Sequence, residues 1–134
     1  MIRRRNKFNA KPVHDMSTGE SYDSTGEYKR HKQLELLEDT GYISELQRQP
    51  KVVLVERCGK APEIAWKLDS YYIENGRPVW EDFKPRPKTP RENLLIKLWK
   101  HFGPGLLRIT GRDGKRLLEV WPHGAAQRTE DTTE

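Results

Sequence analysis

Apolar residues recur at two different spacings along this chain, and each change of period marks an element. Residues 11–22 are short, polar and broken at Thr18-Gly19, which predicts a loose hairpin. Ser24-Thr25-Gly26-Glu27 then has the form of a capping box, with the Ser24 hydroxyl placed to accept from the amide three residues on. The helix it opens is predicted to run to about Asp39 and to end at Gly41. Residues 43–46 read as a short turn or strand. The β-branched run 51–56 (KVVLVE) predicts a buried strand, broken by Arg57-Cys58-Gly59-Lys60. Residues 64–73 read as a second strand, Asn75-Gly76 as a tight hairpin turn, and 78–84 as the returning third strand. Pro85, Pro87 and Pro90 stiffen the linker that follows. Thr89-Pro90-Arg91-Glu92 opens a second helix, predicted to bury Leu94, Leu95, Leu98, Trp99 and Phe102 and to end at Gly103-Pro104. Residues 106–110 form a fourth strand, Asp113-Gly114 a turn, and 117–121 a further strand. The order αβββαβ predicts an α/β fold, an α+β sandwich with a mixed central sheet flanked by helices.

Length and charge narrow the partners. At 134 residues the chain fits one domain, read as a basic flexible arm at 1–10, a core domain at 11–121 and a polar, disordered tail at 122–134. Hydrophobic and charged residues each make up 34%, so the core must be compact and the surface well solvated. No apolar run reaches the length of a membrane span and no hydrophobic leader opens the sequence, so a cytoplasmic protein of a bacterial host is expected. Cys58 stands alone, which excludes an intramolecular disulfide and a cysteine zinc cage. His14, His31, His101 and His123 have no metal-ligand spacing. Basic charge gathers in two places. Arg3, Arg4, Arg5, Lys7 and Lys11 give residues 1–12 a net +5, and Lys84, Arg86, Lys88, Arg91, Lys97 and Lys100 against Glu92 give 84–100 another +5. Clustered cations suit a polyanion, since each phosphate neutralised releases counterions. An ordinary solvated surface with a basic tail is the plainer reading of the same charges.

Three features converge on chemistry. Alternation along a strand puts Asp82 and Lys84 on one face, where a carboxylate can hold a metal and an ammonium can lie near developing phosphate charge. Folding the Asn75-Gly76 hairpin brings Asp69 toward Asp82, so that two carboxylates can share one hard cation. Glu27 lies about 40° from His31 and about 20° from Leu34 around the first helix, on the side that Leu34 and Leu37 define as buried. Each feature has an ordinary explanation as well. A lone D-x-K is usually a surface ion pair, Glu27 can be the acid of the capping box, and Asp69 can alternate outward. Their conjunction in this order is the less ordinary fact.

That conjunction resembles the PD-(D/E)XK nuclease superfamily, whose core is αβββαβ. Within it the chain is similar to a family of small phage-borne proteins without an assigned function. The likeness spans roughly residues 6–112 and rests on Asn6-Lys7-Phe8, Tyr22-Asp23-Ser24-Thr25-Gly26-Glu27, Leu36-Leu37-Glu38, Gly41-Tyr42-Ile43, Leu46-Gln47-Arg48-Gln49-Pro50, Asp69 and Glu81-Asp82-Phe83-Lys84. Its Gln-Pro and helix features also resemble transposon end-cleaving and phage-type junction-resolving endonucleases. The resemblance implies a restriction-endonuclease-like core and a metal-dependent DNA endonuclease using Mg²⁺, with Mn²⁺ as a substitute. It implies Glu27, Asp69, Asp82 and Lys84 as the catalytic set, with Asp69, Asp82 and Glu27 on the metal. Gln49 and Glu81 would support them, although Glu81 is one residue too far from Lys84 to be the motif acid. Leu68 stands where the motif's proline is expected, and Pro85 where a glycine often follows the lysine. DNA, branched or junctional, is the implied substrate in phage recombination or replication, within a larger assembly, and paired cleavage favours a homodimer. Arg3, Arg4, Arg5, Lys7, Arg86, Lys88, Arg91, Lys97 and Lys100 would follow its backbone. The rival readings are a non-catalytic nucleic-acid-binding module and a small inhibitor of a host factor.

Overall fold

A computed structural model gives the protein's structure over residues 11–22 and 24–123. The basic arm at 1–10, with Arg3, Arg4, Arg5 and Lys7, and the tail from 124 lie outside the described residues. A small hairpin, β1 (Val13–His14) and β2 (Ser21–Tyr22), precedes α1 (Thr25–Asp39). The Ser24 hydroxyl caps α1 by accepting from the Glu27 amide at 3.1 Å, as the sequence predicts. Then come β3 (Ile43–Arg48), β4 (Lys51–Val55), β5 (Ile64–Lys67), β6 (Ser70–Glu74), β7 (Arg77–Phe83), α2 (Pro90–Phe102), β8 (Leu106–Thr110) and β9 (Arg116–Val120). The result is a mixed α+β fold with a five-stranded sheet in the order β3-β6-β7-β8-β9. All neighbours run antiparallel except β7 and β8, which are parallel and joined by α2 as the crossover.

Each helix covers one face. Val79 packs with Leu34, Ile43, Tyr72 and Leu106 on the α1 side. Its neighbour Trp80 packs on the other side with Leu95, Ile96, Trp99, Leu107 and Ile109. Adjacent strand residues point to opposite faces, so the sheet is sandwiched between the two helices. Asn75 and Gly76, at φ 52° and 76°, make the two-residue turn that pairs Glu74 with Arg77. Among the described residues no helix is long and apolar enough to cross a membrane.

Two sequence expectations are corrected. The run 64–73 is not one strand. It breaks at Leu68-Asp69, and its first half pairs with β4 in a separate two-stranded ribbon, with Lys51 opposite Lys67 and Val52 opposite Trp66. The KVVLV strand therefore leaves the main sheet, and the antiparallel meander is β3-β6-β7. The cause lies at Gln49-Pro50. Gln49 adopts φ 57°, Pro50 has no amide to continue a ladder, and the chain turns out of the sheet. The buried face of α2 is also rotated: Glu92, Leu95, Ile96 and Trp99 are inside, while Leu94 and Phe102 are 55% and 58% exposed. Trp99 sets this rotation. Its ring lies 6.1 Å from Trp66 and 5.8 Å from Trp80, and its Nε1–H donates to the Gly105 carbonyl at 2.8 Å. Lys97 and Lys100 are exposed, and Lys97 lies one turn from the exposed Leu94.

Candidate active site

The site forms where β6 begins and β7 ends. Ser70 is the register partner of Glu81, which sets Asp69 opposite Asp82 on the adjoining strand. The Asp69 amide donates to the Glu81 carbonyl at 3.2 Å, and its Oδ2 accepts from the Phe83 amide at 2.6 Å. The Asp69 and Asp82 carboxyls are within hydrogen-bond reach of each other. Lys84 completes the group, with Nζ 3.2 Å from Asp82 Oδ2. That ammonium is the one cation against the buried Asp82 carboxyl among the described residues.

Alternation along β7 decides which faces these groups see. Phe83 and Glu81 turn toward α1, while Asp82 turns toward α2. Glu92, in the first turn of α2, reaches back, and its Oε2 lies 2.9 Å from Lys84 Nζ. The same carboxylate accepts from Arg86 at 2.9 and 3.3 Å and from the Thr89 amide at 2.8 Å. The catalytic lysine candidate is thus gripped between a strand acid and the helix cap.

Burial, reinforced by the Asp69 charge, pushes the Asp82 carboxyl well above the ordinary carboxylate range. Burial raises Asp69 as well, against its hydrogen bonds with Asp82 and the Phe83 amide. Burial acts to lower Lys84, but Asp82 and Glu92 outweigh it and hold the ammonium above its usual range. Burial would raise Glu92 too, yet Arg86, the Thr89 amide and Lys84 bring it down to about 2.

This arrangement fits one hard divalent cation. Mg²⁺ typically takes one or two carboxylates and fills its other positions with waters and substrate phosphates. Two close carboxyls, faced by a single ammonium, match that demand. Among the described residues no group of three or more His, Cys, Asp or Glu converges to hold a metal.

The other expected residues fall differently. Glu27 sits in the first turn of α1, half-buried, beside Gly26, where a Cβ would come 2.4 Å from the Phe83 ring. The helix therefore docks on the Phe83 side of β7, and among the described residues Glu27 does not join Asp69 and Asp82 in a three-acid group able to hold a metal. Gln49 lies at the turn next to Asp69, its amide donating to the Asp69 carbonyl at 2.9 Å. Glu81 is 1% exposed and belongs to a separate buried network on the α1 face. Arg30 donates to it through Nε and Nη2 at 2.7 and 2.8 Å, the Tyr72 hydroxyl at 2.7 Å and the Thr110 hydroxyl at 3.3 Å. Lys88, Arg91, Lys97 and Lys100 are exposed, whereas Arg86 is tied to Glu92. Glu92 is the residue that sequence reading missed, taken there only as the acid of a capping box. The short proline linker was the available signal, because it leaves the cap close to the strand exit. Scans of family models, of curated proteins and of solved structures found no match to this chain.

Proposed function

We propose that this protein is a Mg²⁺-dependent endodeoxyribonuclease of the PD-(D/E)XK type. The observation that carries the reading is the Asp69–Asp82 pair on adjacent strands, with the Lys84 ammonium 3.2 Å from Asp82. Two carboxyls held together inside the fold with a single ammonium beside them leave room for one further cation. Topology supports it too. With the β4–β5 ribbon set aside as an insertion, α1, β3, β6, β7, α2 and β8 follow the αβββαβ order of that superfamily's core, ending in a parallel pair.

Asp69 and Asp82 would hold the cation, which when bound supplies a Lewis acid and an acidified water. In the reaction a water oxygen bonds to phosphorus, the bond from phosphorus to the leaving ester oxygen breaks, and that oxygen takes up a proton. Lys84 keeps its proton at neutral pH because two acids stabilise the ammonium. Its part is therefore to orient the attacking water and to offset charge growing on the phosphate, and not to serve as the base. Glu92 fixes the angle from which Lys84 enters. Glu27, half-buried in the first turn of α1, does not complete a three-acid metal group among the described residues and is not assigned to the metal.

The test is cleavage of linear, nicked, flapped and four-way DNA in Mg²⁺ or Mn²⁺. Wild type cuts at least one of them, Asp82→Asn loses cleavage together with metal affinity, and Lys84→Ala keeps metal binding but cuts about 10²–10³ times more slowly. If wild type cuts none of them and both variants bind DNA as it does, the chain is a binding module and not an enzyme.

A further inference from the structure

Helix α1 leaves part of its face of the sheet uncovered. A half-open cavity of about 390 Å³ remains between the β6–β7 turn, the start of β8 and the end of β9. Its floor is Val79 and Leu106, which pack with Leu34 on the α1 side, and Trp121 walls one flank. Asp82 and Lys84 turn toward the other face, so the cavity is separate from the candidate active site. Its size falls at the small end of ligand sites, enough for one ring system with a substituent.

The polar groups of the cavity are fixed but not used up. Arg108, 3% exposed, donates through Nε to Glu119 Oε2 at 2.7 Å and through Nη2 to Glu74 Oε1 at 3.0 Å. The second oxygens, Glu74 Oε2 and Glu119 Oε1, accept no hydrogen bond among the described residues. The two side chains are 25% and 35% exposed, so a ligand can reach them. Burial acts against the Glu74 charge, but the Arg108 hydrogen bond and the charges of Arg108, Arg116 and Arg30 outweigh it. They hold the carboxyl below its ordinary range, and it stays an acceptor at neutral pH. Arg77 is the opposite case. It is exposed, makes no ion pair among the described residues, and stands 5.6 Å over the Trp121 ring.

We infer that this cavity binds a planar heteroaromatic ring with two adjacent N–H donors and an anionic substituent, the chemistry of a guanine base carrying a phosphate. Guanine presents a ring N–H and an amino N–H side by side, and a carboxylate can accept both. Adenine, cytosine and uracil each set a donor beside an acceptor, which would turn a lone pair toward the carboxylate. The ring would lie against Trp121, and the phosphate would supply the partner that Arg77 lacks. An arginine side chain offers a similar donor pair, but its charge would meet Arg77 and Arg108. The site does not depend on the nuclease reading, since it opens on the other face of the sheet.

The experiment titrates the full chain with the monophosphates of guanosine, inosine, adenosine, cytidine and uridine by calorimetry. Divalent metal is left out, so that none at Asp69 and Asp82 can hold the phosphate. The variants are Glu119→Gln, Arg77→Ala and, as a charge control, the exposed Lys29→Ala. Guanosine monophosphate should bind wild type, and the inosine form, which lacks the amino group, should bind at least about tenfold more weakly. Glu119→Gln should erase the preference for guanine. Arg77→Ala should weaken the nucleotide and leave guanosine itself unchanged, while Lys29→Ala should match wild type. The inosine comparison uses unaltered protein, so it decides the matter even where Glu119→Gln disturbs the Arg108 network. A guanine-containing single strand that displaces the nucleotide, where its adenine counterpart does not, supports the site with nucleic acid as its source. Displacement by neither strand supports it with the free nucleotide as its source. Absence of guanosine monophosphate binding at about 1 mM overturns the proposal, as does equal binding of all the nucleotides. Displacement by inorganic phosphate alone or by arginine amide overturns it too.

Discussion

At 2% exposure, Asp82 keeps a carboxyl in the interior with Asp69 beside it, and Lys84 alone does not neutralise the pair. Ionising both without a cation costs stability, since neither burial nor the neighbouring charge favours the second anion. Asp82→Asn removes one charge and keeps the shape, so the metal-free variant should melt at or above wild type. Wild type should gain stability on adding Mg²⁺, by about 2.7 kcal/mol at a hundredfold excess over Kd, and the variant should gain little. Thermal melts with and without Mg²⁺ check both halves, and a wild type indifferent to Mg²⁺ removes the metal from the account. His31 offers a second test at this scale. It is 9% exposed, its Nδ1 has no partner, and burial holds its ring below the ordinary histidine range. Glu35 and Lys32 of α1, Glu20 and Tyr22 of the hairpin, and Arg48 of β3 surround it. The unfolded chain therefore binds a proton near pH 6.5 that the native state resists, and stability should fall as pH drops below that value. His31→Phe should flatten this limb in urea titrations at pH 7 and pH 5.5. An unchanged slope would mean that the ring charges in place.

Among the elements, α1 owes its place on the sheet to one buried ion pair as much as to Leu34. Arg30 holds Glu81 with two hydrogen bonds, at side-chain exposures of 13% and 1%. Arg30→Ala leaves that carboxylate buried with only Tyr72 and Thr110 as partners, and should cost about 3–5 kcal/mol. Arg30→Met with Glu81→Leu should recover much of the loss, because it removes the uncompensated charge as well; denaturant midpoints read both. This network also explains how far the sequence could be read. Both helix starts were legible because capping is local: Ser24 meets the Glu27 amide at 3.1 Å, and Thr89 meets the Glu92 amide at 3.2 Å. The Asn75-Gly76 turn was legible for the same reason, and with it the meeting of Asp69 and Asp82. The break at Leu68-Asp69 was not, because residues 64–67 and 70–74 have equal strand character and only their partners separate them. Nor was the rotation of α2, which Trp99 settles by entering a cage of Trp66 and Trp80. Glu81 and Asp82 looked interchangeable in sequence, and the sheet assigns one to each face.

For the whole molecule the deciding quantity is where charge lies relative to the Asp69–Asp82 pair. The exposed end of α1 and the start of β3 carry Asp39 and Glu45, while the exposed side of α2 carries Arg91, Lys97 and Lys100. If the partner is a polyanion, these cations favour its approach on the α2 side of the sheet, the side toward which Asp82 and Lys84 turn. The sequence adds Arg3, Arg4 and Arg5 at the start of the chain, with no acid among residues 1–12 to offset them. If these arginines meet phosphates, each contributes its own counterion release, independent of base sequence. Deleting residues 1–5 should then weaken DNA binding and lower the salt slope by as much as about 2.7, at about 0.9 per arginine. Salt titrations of wild type and the deletion decide it. A deletion that leaves slope and affinity unchanged makes the arm a passive tail.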